Sequence, residues 1–114
     1  MKLVYICSPY AGDVVFNTEL ARRYCRAAVE QGVIPYAPHL LFPQWMDDAD
    51  PAQRELAMTM GLSMLERADE LWVCGDTVSA GMRTEIAFAE VCCIPVVMKS
   101  NLIHSSVFAE IMMA

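Results

Sequence analysis

The stretch "ELWVCGDTVSAGMRTEIAFAE", Glu70–Glu90, decides how this chain is read. Its first five residues are a short apolar run with Val and Trp, which suits a buried strand. "GDTVSAG" has the small, turn-forming residues of a loop. From about residue 81 to 93 the period changes to 3.6, and Met82, Ile86, Ala89 and Cys93 form one helical stripe. Strand, loop and helix follow one another without a break.

The same unit recurs along the chain. "KLVYIC" (2–7) reads as a first strand and "SPYAGD" as its loop. Asn17 can cap a helix over 18–31, with Leu20, Tyr24, Ala27 and Ala28 on one face and Gly32 as its stop. "VIPYAP" (33–38) is a second strand. Its Pro35 lacks an N–H and so points to a sheet edge. Residues 39–52 form the longest connection, and Asp50-Pro51 marks the next helix start. That helix, 52–68, is expected to bury Leu56, Met60, Met64 and Ala68. "PVVMK" (95–99) is a fourth strand, and "SSVFAEIMMA" closes with a short helix.

Alternating strands and helices demand a parallel sheet with right-handed crossovers and helices on both faces. The expected fold is α/β, a small doubly wound, flavodoxin-like parallel sheet of about four strands in the order 2-1-3-4. Residues 1–114 make one domain. In that order strands 1 and 3 are neighbours whose chains depart in opposite directions, and ligands bind outside the carboxyl ends of such strands. Both loops there, "SPYAGD" and "GDTVSAG", are rich in small residues that let backbone approach a ligand.

Composition narrows the function classes. A 56% hydrophobic, 19% charged chain is not disordered, and 14 acidic against 8 basic residues give −6, which opposes an extended nucleic-acid face. No apolar run approaches the 18 residues of a membrane span, and the short opening strand does not make a secretion signal. Five cysteines, at 7, 25, 74, 92 and 93, have no C-x-x-C spacing and read as buried thiols of a reducing cytoplasm. Nine methionines are read as core fillers. Asp47, Asp48 and Asp50 lack the spacing of a calcium loop, so no metal is expected there.

Glu85 lies about 60° from the centre of its helix's apolar stripe, at the stripe's edge, and close to the helix N-terminus. Two readings follow: a first-turn acid complementing the helix dipole, or a carboxylate leaning into the switch-point cleft. In the second role it could attack a sugar carbon and trap an oxocarbenium-like species covalently. Ser79 and Gly81 read either as phosphate contacts or as a cap serine with a flexible glycine. Ser8, Pro9 and Tyr10 end the first strand at the same rim, and His39 follows the second strand at that rim too.

With those residues set out, "VYICSPYAGD", "PH" at 38–39, "ADELWVCG" and "SAGMRTEIAFA" together resemble the nucleoside 2-deoxyribosyltransferase superfamily. The closest pattern is an uncharacterised bacterial and phage branch, with the 2′-deoxynucleoside 5′-monophosphate N-glycosidases as a related branch. The resemblance implies cleavage of the bond between nucleobase and deoxyribose, with the sugar passed to another base or to water. It places the nucleophile on Glu85 and its orienting tyrosine on Tyr5. It puts 5′-phosphate binding on Ser79 and matches His39 to a histidine of the monophosphate branch; beside it, Tyr10 is the alternative orienting group, Ser8 and Gly81 read as sugar-phosphate contacts, and Pro9, Tyr10 and Met82 as further substrate contacts. It implies no cofactor and no metal, a nucleoside or nucleotide as the small-molecule partner, and a homodimer or higher even oligomer. Two departures stand out. Gly61 occupies the place of an aspartate that handles the leaving base, and Ala11 that of a basic residue in the first loop. Asp76, Asp13 or His39 could substitute for the missing acid. One rival reading is a non-catalytic nucleotide-binding or sensing module of the same fold; another is a protein-interaction role for the apolar, methionine-rich helices.

Overall fold

The computed structural model describes residues 1–104 and 110–113. Four strands, β1 (Leu3–Cys7), β2 (Ile34–Tyr36), β3 (Glu70–Cys74) and β4 (Val96–Lys99), form one parallel sheet in the order β2-β1-β3-β4. Three helices cross between them: α1 (Val14–Glu30), α2 (Pro51–Leu65) and α3 (Ala80–Val91). The α/β, doubly wound reading is therefore the fold observed. β2 is an edge strand of three residues, and its Pro35 pairs only toward β1.

Period-two alternation divides the core between the two faces. Val4 and Ile6 of β1, with Trp72 and Cys74 of β3, pack against Leu20, Tyr24 and Ala28 of α1. Tyr5 and Cys7, with Leu71 and Val73, point the other way, onto Leu65 of α2 and Met82 and Ala89 of α3. Tyr5 and Cys7 thus share a face with α3. Fully burying one such large side chain contributes roughly 1.5–3 kcal/mol, so the sheet's two faces hold the domain together.

Several expectations need correction. α1 starts at Val14, and its cap is Asp13, which accepts from the Phe16 N–H; Asn17 lies inside the helix and donates to the carbonyls of Tyr10 and Ala11. α2 ends at Leu65, and Asp50 caps it through the Ala52 N–H. Its buried residues are Gly61 and Leu65, whereas Leu56 is 51% exposed and Met60, Met64 and Ala68 are only partly buried. The helix is apolar nearly all round, so periodicity gave the wrong phase by about 100°. α3 ends at Val91. Cys93 follows it in a left-handed turn, φ 57°, and is exposed, off the stripe expected to bury it. Of the nine methionines only Met82 is buried, while Met58, Met98, Met112 and Met113 are exposed, so gap-filling is not their general role. The long connection contains two short 3₁₀ turns, Pro38–Leu40 and Phe42–Gln44. Of the expected closing helix, residues 105–109 and 114 lie outside the described residues; 110–113 are helical.

Candidate active site

Glu85 is the residue that sets this site apart. It is 3% exposed, at the centre of the buried face of α3 with Met82 and Ala89, and not at its edge. It sits in the second turn, where the helix dipole is already weak. Its partners come from the sheet. The Tyr5 hydroxyl donates to one carboxylate oxygen, Oε2, and the Cys7 thiol lies 3.5 Å from the other, Oε1. Tyr5 and Cys7 are two apart on β1, so the strand's pleat aims both at α3. The Cys7 sulfur also lies 3.8 Å from the Met82 carbonyl, which ties the end of β1 to the first turn of α3.

Burial raises the cost of charge on this carboxyl and pushes its pKa up to about 7, against the pull of the Tyr5 and Cys7 donors. The Tyr5 hydroxyl and the Cys7 thiol are both pushed far up, by burial first and by the Glu85 charge second. They stay protonated donors at any physiological pH. Near neutrality, then, Glu85 alone of the three changes its charge.

One wall of the carboxyl is open. A cavity of about 100 Å³ has Tyr5 and Glu85 among its lining residues. Pro38, Phe42, Pro43 and Met46 of the connection give it an apolar side, as do Ala57 and Met58 of α2. Asp47, Asp48, Gln53 and Arg54 supply its polar groups. Gly61 faces the cavity without a side chain: a Cβ there would stand 3.4 Å from the Tyr5 hydroxyl oxygen and 3.8 Å from Pro38 Cβ. Tyr10 and His39 stack with ring centroids 5.0 Å apart and complete the lining. His39 Nε2 is 3.0 Å from the Ser8 carbonyl oxygen. Burial lowers the His39 pKa, against the Ser8 carbonyl and the Asp48 charge, so the ring is neutral at pH 7.

Of the residues singled out from the sequence, Glu85, Tyr5, Tyr10 and His39 meet in this one cavity. Ser8, Pro9, Ser79, Gly81 and Met82 lie outside its lining. Ser8 is 2% exposed, and its hydroxyl is one of two buried side-chain oxygens without a partner among the described residues, the other being Tyr36. Ser79 caps α3: its Oγ accepts the Met82 N–H at 3.3 Å, while its own N–H donates to the Met82 sulfur. Of the suggested replacement acids, only His39 reaches the cavity. Asp13 is spent on its helix cap and Asp76 is exposed after β3. Beyond His39 and Gly61, sequence reasoning missed the contributions of the connection (Phe42, Pro43, Met46) and of α2 (Gln53, Arg54, Ala57, Met58). Its one signal was Gly61, a glycine in a helix interior, which costs about 1 kcal/mol against alanine and calls for a spatial reason. No three His, Cys, Asp or Glu side chains among the described residues converge as metal ligands would.

Fold and site together define a small α/β domain with a buried glutamate at the topological switch point of a parallel sheet. The chain belongs to the family described as "Domain of unknown function (DUF7768)", which matches residues 2–99. No curated protein matches it. Among solved structures, a 2-deoxyribosyltransferase from the psychrotolerant bacterium Bacillus psychrosaccharolyticus superposes with a TM-score of 0.69 at 14% identity, over 92% of this chain and 79% of that one. A conserved protein from Enterococcus faecalis V583 superposes with a TM-score of 0.57 at 24% identity, over 86% of this chain and 62% of that one. At these identities the likeness is one of fold.

Proposed function

We propose that the chain cleaves the N-glycosidic bond of a nucleoside or nucleotide, with Glu85 as nucleophile, and passes the deoxyribosyl group to a second base or to water. The observation that carries this reading is the buried Glu85 carboxyl, held by Tyr5 and opening on a largely apolar cavity. An anionic oxygen at such a place stabilises positive charge developing on the sugar ring and can bond to its anomeric carbon. As that bond forms, the C–N bond breaks with its electron pair going to the base, which takes up a proton from water. A second acceptor attacks the glycosyl ester and frees Glu85. The fold neighbour named as a 2-deoxyribosyltransferase, described as a biocatalyst for the synthesis of nucleosides, supports the substrate class.

The remaining assignments follow this reading. Phe42, Pro38 and Tyr10 offer flat or apolar surface to the base. Ser8, whose buried hydroxyl has no partner among the described residues, and Pro9 are assigned to the sugar although they lie outside the cavity lining. Ser79, whose O–H donates to no partner among the described residues, is assigned to a 5′-substituent with Gly81 and Met82 of the same turn. A homo-oligomer belongs to the same proposal: Leu41, Trp45, Leu56 and Met58, exposed on the connection and α2 beside the cavity, are the surface it would cover. So does a reducing, cytoplasmic setting, which suits five free thiols. Among the described residues no helix is long and apolar enough to cross a membrane.

The test is incubation with each deoxynucleoside and its 5′-monophosphate, following free base by chromatography and the glycosyl-enzyme by intact mass. Wild type should release base and carry the adduct, and Glu85→Gln should do neither. Equal release by both proteins refutes the assignment. Gly61 favours one rival, a nucleotide-binding module, since it adds no acid beside the Tyr5–Glu85 pair. Ligand-induced thermal stabilisation with no turnover by wild type would select that rival.

A further inference from the structure

Cys7 has no part in the chemistry just described and does not line the cavity, yet it touches the carboxylate on which that chemistry turns. The two oxygens of Glu85 are divided between two donors on one strand. Tyr5, which lines the cavity, takes Oε2, and Cys7, which does not, takes Oε1. Two donors at adjacent same-face positions of a rigid central strand fix the plane of a carboxylate in a way one donor cannot, because a single hydrogen bond leaves it free to rotate about that contact. We propose that Cys7 is a positioning residue for Glu85: its S–H holds Oε1, favours the ionised carboxylate, and with Tyr5 on Oε2 fixes the carboxylate's orientation.

The environment supports this. Cys7 is fully buried, and its thiol is held protonated by burial first and by the Glu85 charge next, so it acts as a donor and not as a thiolate. The other titratable groups facing Glu85 are few. Tyr5 adjoins it from β1, with Tyr36 of β2 behind Tyr5 at 5.7 Å between ring centroids. The cavity is also lined by Tyr10 after β1, by His39, Asp47 and Asp48 of the connection, and by Arg54 of α2. Cys74 of β3 acts on Cys7 and lies on the opposite sheet face. Among the described residues, Cys7 is the donor to Glu85 that lies outside the cavity lining.

The role in turnover rests on the glycosidic reading, but the hold on Glu85 is measurable without substrate. The experiment is a ¹³C NMR titration of the Glu85 side-chain carboxyl in the full chain, with a pH–rate profile of base release beside it. In Cys7→Ala and Cys7→Val the titration midpoint should rise by about half a unit to one unit, as expected for losing one weak donor. The acidic limb of the rate profile should move with it. Cys7→Val refills the core, so a shift there is not a cavity effect. Cys7→Ser, which keeps an O–H, should bring both back toward wild type, and Cys74→Ala should leave the midpoint unmoved. An unchanged midpoint in Ala and Val, or a Ser variant shifted as far as Val, overturns the proposal. A shifted midpoint in a protein that releases no base upholds the hold on Glu85 and refutes the glycosidic reading alone.

Discussion

Replacing Glu85 by glutamine should make the protein more stable while removing its activity, and the gain should depend on pH. The folded carboxyl titrates at about 7 against an ordinary 4.5, because burial disfavours its charge. Below pH 4.5 both folded and unfolded chains carry it protonated, and there is no cost. Between 4.5 and 7 the unfolded chain releases the proton and the folded chain keeps it, so this group's contribution to stability falls as pH rises. Above 7 both are ionised and the cost is complete, on the order of 3 kcal/mol from 2.5 units at 1.36 kcal/mol each. Glutamine has nearly the same shape, can accept from the Tyr5 hydroxyl, and carries no charge. Urea unfolding of the two proteins should therefore differ by about 1 kcal/mol or less at pH 5. At pH 8.5 the variant should be ahead by about 2–3 kcal/mol, or roughly 10 °C in Tm. Differences between the two proteins cancel every other titrating group. A variant no more stable than wild type at pH 8.5, or a difference that does not grow from pH 5 to 8.5, would show that Glu85 carries no desolvation cost.

Gly61→Ala separates stability from function in the same way: alanine in a helix interior should raise Tm by a few degrees, about 1 kcal/mol, while its methyl, 3.4 Å from the Tyr5 hydroxyl oxygen, narrows the cavity and lowers base release about tenfold; unchanged kcat/KM would show that the wall at Gly61 is not used. Gly75→Ala should do the opposite and destabilise by roughly 2–4 kcal/mol, since the backbone there has φ 86° and a Cβ would stand 2.6 Å from the Tyr24 hydroxyl oxygen. Thermal melts check it, and adding Tyr24→Phe should recover part of the loss by clearing the clash.

The architecture was legible because it depends on features that survive in one dimension. β-rich apolar runs separated by helical periods allow few parallel topologies, and Pro35 alone marked the edge strand. Helix phase was less legible. In α3 the true buried face runs through Met82, Glu85 and Ala89, and hydropathy, which scores glutamate as polar, pushed Glu85 to the margin of a stripe drawn through Ile86. In α2, with Leu, Met and Ala on every side, no hydropathy pattern could distinguish the face of Gly61 and Leu65 from that of Leu56 and Met60. Asn17 looked like a cap because it is a good capping residue, but Asp13, four residues earlier, holds that place.

By itself the sequence determined the order of elements, the sheet's parallel sense and the strand order, since these follow from local periodicity and the handedness of crossovers. Only the tertiary structure decided that Tyr5 and Cys7 close on the two oxygens of a carboxylate some 80 residues away, that Glu85 is buried enough to titrate near neutrality, and that Gly61 leaves room above it. Those are properties of packing between distant segments, set by desolvation and by distances of a few ångströms, and no local pattern encodes them.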